Sequence, residues 1–377
     1  MAVLDLIKKV KVQTLSFENH PCRDLDMETK VHYLNALALV SNEDGTIAEE
    51  EKEYLAILIN SFGLSADTLS EYIEFAKNPD ESQLVEMMNA FSTKDIKYNL
   101  MVDAMMIAQR DGEFSESEKA LIEQYFEMFK ISEQEAKDLT DIFEMLHAQD
   151  ARGLSRYFNR NKRIKQSLFT YFIEYYKIDL EYALKEEEKE LLTFKWFQPS
   201  FGNGGLEDAK EIMKEPISNA QFFIYLNARY DANSITVEEN RVLLNDEEKT
   251  PLMELEYSDI SFVNGEFRIE DSTKDDEKIT GITAKAVEDF VQWINDVENC
   301  EYKIVRFFIS SHTSWPPSLE SKNLTTVFRG NEFVMNENKI KIYKKLSKER
   351  IYATMLGLMS LGSNSLCSNE ISFRLMR

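Results

Sequence analysis

Apolar residues recur at helical spacing through the first part of the chain. Tyr54, Leu55, Leu58, Ile59 and Phe62 fall on one face of a 3.6-residue helix. The pattern predicts helices throughout residues 27–150, and it repeats itself. Asn42-Glu43-Asp44-Gly45 is followed by Glu49, Glu51, Lys52, Leu55, Leu58, Ile59, Phe62, Leu64 and Ser65. With a shift of 67 positions, from Gly45 to Gly112, the same order returns as Arg110-Asp111-Gly112, Glu116, Glu118, Lys119, Ile122, Tyr125, Phe126, Phe129, Ile131 and Ser132. Each unit reads as an apolar helix, an Asp-Gly turn and an amphipathic helix. The glycine supplies the left-handed conformation that ends the first helix. Thr46 with Glu49, and Ser115 with Glu118, have the spacing of a capping box for the next.

Beyond residue 150 the pattern changes. Arg152, Arg156, Arg160, Lys162, Arg163 and Lys165 occur without an acidic residue among them. An aromatic helix is predicted over 168–176. Pro199-Ser200-Phe201-Gly202-Asn203-Gly204-Gly205 is the clearest breaker in the chain and the expected main boundary. After it the elements are mixed: helices over 218–228 and 283–296, a hairpin over 257–269 around Asn264-Gly265, and short strands over 302–309 and 325–328. Consecutive strands without alternating helices point to an α+β domain. The expected division is an extension at 1–26, an acidic helical domain at 27–150, a basic helical connector at 151–204 and the α+β domain at 205–377. The fold class is therefore multidomain, an all-α N-terminal half joined to an α+β C-terminal domain.

Charge sharpens this division. The chain of 377 residues carries a net charge of -23. Residues 1–150 hold 13 Lys and Arg against 31 Asp and Glu, which is -18, leaving -5 for the remainder. An acidic surface repels nucleic acid and anionic membrane and attracts cationic partners or metal ions. The basic connector has three readings open: docking on the chain's own acidic half, contact with a partner protein, or contact with nucleic acid. Arg152, Arg156, Arg160, Lys162 and Arg163 are its candidate binding residues. The methionines Met87, Met88, Met101, Met105, Met106 and Met128 are expected in the helical core. No apolar run approaches the ~20 residues that span a bilayer. The three cysteines, Cys22, Cys300 and Cys367, are too dispersed for a metal knuckle or a disulfide framework, and a cytoplasmic setting is expected.

The duplicated unit and its two acidic turns resemble the TerB-like family, named for tellurite-resistance proteins, over residues 27–145. The resemblance implies an all-helical module of bacterial stress and phage-related systems whose acidic clusters hold divalent cations such as calcium. Glu43, Asp44 and Glu49 in one turn, and Asp111, Glu113 and Glu116 in the other, are the candidate ligands, since hard cations want several converging oxygens. The same carboxylates also suit helix N-termini through the helix dipole.

The second half resembles the formylglycine-generating enzyme and sulfatase-modifying-factor family, whose fold is related to C-type lectins. The landmarks are Pro216–Asn227, Phe262–Phe267, Ile282–Ile294, Val327-Phe328-Arg329-Gly330 and Asn369–Leu375. The catalytic members carry a cysteine pair soon after the Arg-Gly segment, and here no cysteine stands between Arg329 and Leu366. Thiolate or copper-thiolate chemistry needs paired, accessible sulfurs. No catalytic residue is therefore expected. Phosphate-loop and serine-hydrolase signatures are also missing from the sequence. The expected function is that of a protein- or peptide-recognition adaptor or sensor in a bacterial stress or anti-phage system, with its partner an effector encoded nearby. Trp315, Asn331 and Glu332 mark its candidate contact loops. The alternatives are an oxidoreductase acting on a protein cysteine and a structural subunit of a larger assembly.

Overall fold

The computed structural model describes residues 15–376 other than 44, 92–94, 111, 113, 198–211, 214, 305–330, 337–338, 344–370 and 374. The chain divides into two compact units, Met1–Leu184 and Lys185–Arg377.

The described part of the first unit is helical. In order come α1 (Met27–Ser41), α2 (Glu49–Ser61), α3 (Leu69–Lys77), α4 (Glu81–Phe91), α5 (Ile96–Ala108), α6 (Glu116–Met128), α7 (Glu133–His147), α8 (Ala151–Arg156) and α9 (Thr170–Tyr176). Helices α1 and α5 are buried nearly all round and form the centre. This is why they are apolar on every face rather than on a stripe. Helix α1 packs against α2, α3, α4 and α5, and α5 packs against α6 and α7. The duplication is thus visible in space, as two central helices each carrying its own amphipathic cover.

Local contacts repeat with the sequence. Lys30 Nζ donates to the Phe62 carbonyl at 3.0 Å, and Lys97 Nζ donates to the Phe129 carbonyl at 3.2 Å, so each closes the C-terminus of a covering helix. Gly45 and Gly112 take φ +87° and +91°, the left-handed region that the Asp-Gly turns require. The capping box at Ser115 and Glu118 is present in both directions, at 2.8 and 3.2 Å. In the first repeat the expected pair, Thr46 with Glu49, is not the one that forms. The N-cap is Ala48, and the Glu51 carboxylate accepts from its backbone N–H at 2.7 Å. Ala48 and Glu51 are the positions equivalent to Ser115 and Glu118. The alanine has no oxygen to return the bond, so only the glutamate half of the box survives. Met87, Met101, Met105 and Met106 lie in the core as expected.

Helix α10 (Leu180–Leu191) carries the chain across the division. In the second unit α11 (Asn219–Asp231) and α12 (Ala284–Glu298) start on Ser218 and Thr283, whose hydroxyls accept from Gln221 and Ala286 N–H. Phe222 stacks on Phe290 at 5.6 Å, joining the two helices in one core. Small sheets complete the described residues, one of them formed by β1 (Trp196–Phe197), β2 (Ile212–Met213), β8 (Lys303–Ile304) and β12 (Leu375–Met376). β3 (Ile235–Glu238), β4 (Arg241–Leu244) and β5 (Pro251–Glu254) form an antiparallel meander. β6 (Ile260–Val263) and β7 (Glu266–Ile269) pair around Asn264 and Gly265, at φ +54° and +85°, as the Asn-Gly turn predicts. β9 (Asn331–Asn336) lies between antiparallel β10 (Lys339–Tyr343) and parallel β11 (Ile371–Phe373). Helices together with mostly antiparallel small sheets agree with the α+β expectation. The Pro199–Gly205 breaker lies outside the described residues.

Candidate functional site

The centre of the helical unit holds a buried carboxylate. Asp103, on α5, is fully buried and accepts four hydrogen bonds. Tyr33 of α1 donates to its Oδ2 at 2.6 Å and His20 Nε2 reaches the same oxygen at 3.0 Å. Tyr54 of α2 donates to Oδ1 at 2.8 Å and Tyr171 of α9 donates to it at 3.0 Å. The imidazole tautomer follows from its other bond. His20 Nδ1 accepts from the backbone N–H of Cys22 at 3.0 Å, so the ring proton sits on Nε2, which donates to Asp103. Four polar partners thus converge on the two carboxylate oxygens.

The surroundings fix these groups. His20 lies 4.3 Å from the Tyr171 ring and 4.8 Å from the Phe62 ring, centroid to centroid. Burial, then the Asp103 charge, hold the hydroxyls of Tyr33, Tyr54 and Tyr171 well above the ordinary tyrosine value. Burial likewise pushes the Cys22 thiol far up, with Asp103 adding to it. A thiol held protonated and sealed from solvent is a poor nucleophile. This constellation contains the residue types of acid-base chemistry, but every member is sealed from solvent, and its bonds join the segment before α1 to four helices. Sequence reading missed it. The available signal was Asp103 itself, an acidic residue inside the apolar run Leu100–Ala108, since a charge there must find partners.

The residues singled out from sequence lie elsewhere. Glu49 pairs with Lys52 at 2.6 Å, and Glu116 pairs with Lys119 at 2.7 Å. Glu43 is described, whereas Asp44, Asp111 and Glu113 lie outside the described residues. Among the described residues no three His, Cys, Asp or Glu side chains converge to hold a metal ion. In the basic stretch, Arg160 is buried, Arg163 pairs with Asp138 of α7, and Lys165 lies 3.6 Å from Asp95. Part of this stretch thus docks on the acidic helical unit itself. Arg152 and Arg156 are exposed on α8, and Lys162 is half-buried. Asn331 and Glu332 open β9, where Asn331 pairs with Ile371 and Glu332 with Ser372. Trp315 and Cys367 lie outside the described residues. Cys300 is half-buried, with its Sγ 3.4 Å from Asn295 Oδ1, and burial raises its thiol.

Among the described residues no helix is long and apolar enough to cross a membrane. No curated protein and no solved structure matches the chain. Residues 30–141, which span α1 to α6 and part of α7, match the family model described as tellurite resistance protein TerB, so the chain contains a TerB-like helical domain.

Proposed function

We propose that this chain is a recognition module, an adaptor or sensor that binds a partner protein in a bacterial stress or anti-phage system. The observation that carries this reading is the placing of its chemistry. His20, Tyr33, Tyr54, Asp103 and Tyr171 are bonded to one another in the core of the helical unit, while residues 1–150 hold a charge of -18. A sealed core and a charged exterior favour binding through the surface. The TerB match is consistent with that role. In this reading the C-terminal unit is a formylglycine-generating-enzyme-like scaffold without the cysteine pair, used for recognition.

The test purifies the full chain with each protein encoded beside it. Complex formation is followed by light scattering and calorimetry across a salt series. A stoichiometric complex that weakens with salt is the expected result. In parallel, the chain is incubated with copper(I), oxygen and a cysteine peptide, and aldehyde is sought with a hydrazide reagent. Aldehyde formation, or failure of every neighbour to bind, overturns the reading.

A further inference from the structure

The segment before α1 sits on the helical unit as a bound peptide would. Residues 15–20 are not helical, and buried and exposed side chains are interspersed along them. Phe17 and His20 are buried, at 3% and 2%, whereas Ser16, Glu18 and Asn19 are exposed. Two inward side chains three positions apart, with outward ones around them, form the pattern of a peptide held by anchors in a groove.

Each anchor has its own pocket. The Phe17 ring stands edge-on to Tyr54 of α2 at 6.1 Å and to Tyr171, Phe172 and Tyr175 of α9 at 5.3, 5.4 and 5.0 Å. His20 ends on Asp103. Between the anchors and before them the main chain is gripped by side chains. Ser61 Oγ accepts from the Phe17 N–H at 2.7 Å, and Asn60 Nδ2 donates to the Leu15 carbonyl at 3.3 Å. Asn19 Nδ2 donates to Glu174 at 2.6 Å. The grip on the main chain suits any segment, whereas the aromatic box and the carboxylate select a ring and, three residues on, an imidazole. Among the described residues, no backbone-to-backbone hydrogen bond ties residues 15–20 to a helix they pack on. The segment also lies outside residues 30–141, which match TerB. Its departure would break no helix, and it would open the groove between α2 and α9.

We propose that the groove between α2 and α9 is a peptide-reading site held shut by residues 15–20, and that a partner protein enters it with a Phe-x-x-His segment of its own. The inference rests on the recognition reading above and names the chemistry of the partner. The receptor in the test is the full chain with Phe17→Ala and His20→Ala, which empties both pockets. The probe is a fluorescein-labelled peptide with the sequence of residues 13–24. Fluorescence anisotropy follows binding, and circular dichroism follows the helices. Saturable binding to the variant chain is expected. Binding to the unaltered chain should be about a hundredfold weaker, because its own tethered segment competes at a millimolar effective concentration. Alanine at the Phe or the His position of the peptide should weaken binding about tenfold. A folded variant that ignores the peptide, or binds a scrambled one equally, overturns the inference. Equal binding to the unaltered chain puts the peptide elsewhere and also overturns it. Where the double substitution unfolds the helical unit, the peptide is expected to restore the helical signal, and failure to do so counts against the groove in the same way. Failure of the peptide alongside an intact complex with a neighbour-encoded protein refutes this inference alone, whereas aldehyde formation refutes the recognition reading.

Discussion

Substituting Asp103 by asparagine tests whether the buried network holds the helical unit together. The amide keeps the shape of the carboxylate but turns one acceptor oxygen into an NH2 donor. Each Asp103 oxygen accepts two bonds, His20 and Tyr33 on one and Tyr54 and Tyr171 on the other. Whichever way the amide turns, its NH2 end faces two donors. Leaving two buried donors unmet costs about 1–3 kcal/mol each, and the two remaining bonds lose their charge assistance. The expected loss is about 2–5 kcal/mol, a large share of the ~5–15 kcal/mol that stabilises a typical domain. Tyr54→Phe is the control. It removes one donor and leaves three on the carboxylate, so about 1 kcal/mol is expected. The assay is urea unfolding followed by far-ultraviolet circular dichroism, which reports chiefly on the helical unit. The double variant should be less destabilised than the sum of the two singles, because one of the orphaned donors is then gone. An Asp103→Asn loss below about 0.5 kcal/mol, within the range of a neutral surface change, would refute the reasoning.

Three further outcomes follow from the same structure. Tyr33, Tyr54 and Tyr171 keep their protons in the fold beyond the point where the unfolded chain loses them, so stability is unaffected by these groups below about pH 10. Above it stability falls by up to about 4 kcal/mol per pH unit, and ultraviolet absorbance should show their ionisation coinciding with unfolding. Gly281→Ala places a Cβ 2.6 Å from the Glu254 carbonyl oxygen at φ +73°, so a loss of about 2–3 kcal/mol is expected in the melting of the second unit. Gly265→Ala, at φ +85° but with open space around it, keeps only the backbone strain and should cost less, about 1–2 kcal/mol. Arg163→Ala leaves the buried Asp138 carboxylate with Gln134, at 3.1 Å, but without its cation, and should cost about 2–4 kcal/mol in the urea assay, with Arg163→Lys restoring part of it.

The helical half was legible because its signals are local. Periodicity placed α1 to α7, and the Asp-Gly turns fell at Gly45 and Gly112 with the positive φ expected of them. The helical patterns over 218–228 and 283–296 and the Asn264-Gly265 turn marked α11, α12 and the β6–β7 hairpin for the same reason, and Ser218 and Thr283 cap the two helices in the structure. The buried network was not legible. His20, Tyr33, Tyr54, Asp103 and Tyr171 span more than 150 positions, and only packing brings them together. The two apolar helices also hide which of their residues face one another, because both are buried on all sides. The candidate ligands all lie in or beside the acidic turns, where an abundance of acid is ordinary for helix N-termini. The informative acid was the one in an apolar context.

The two repeats explain why that acid is where it is. Position 36 of the first repeat and position 103 of the second are equivalent, each in the middle of a central helix. Each receives a tyrosine hydroxyl from the covering helix of the opposite repeat. Tyr125 donates to the Ala36 carbonyl at 3.0 Å, and Tyr54 donates to the Asp103 carboxylate at 2.8 Å. The cross-brace is thus common to both halves, but only the second has a side-chain acceptor. The difference matches what lies nearby. Around Asp103 stand His20, from the segment before α1, and Tyr171, from beyond α7, and both come from outside residues 30–141, which match TerB. A backbone carbonyl could not serve four donors, whereas a carboxylate does. The aspartate therefore serves as the joint by which the duplicated helices capture the segments on either side of them. A chain with Ala at position 103 should keep the duplicated core and lose the ordered docking of residues 15–25 and 166–176. Hydrogen exchange would show protection lost in those two segments first. Uniform loss across all the helices would instead make the network a general core contact and remove its role as a joint.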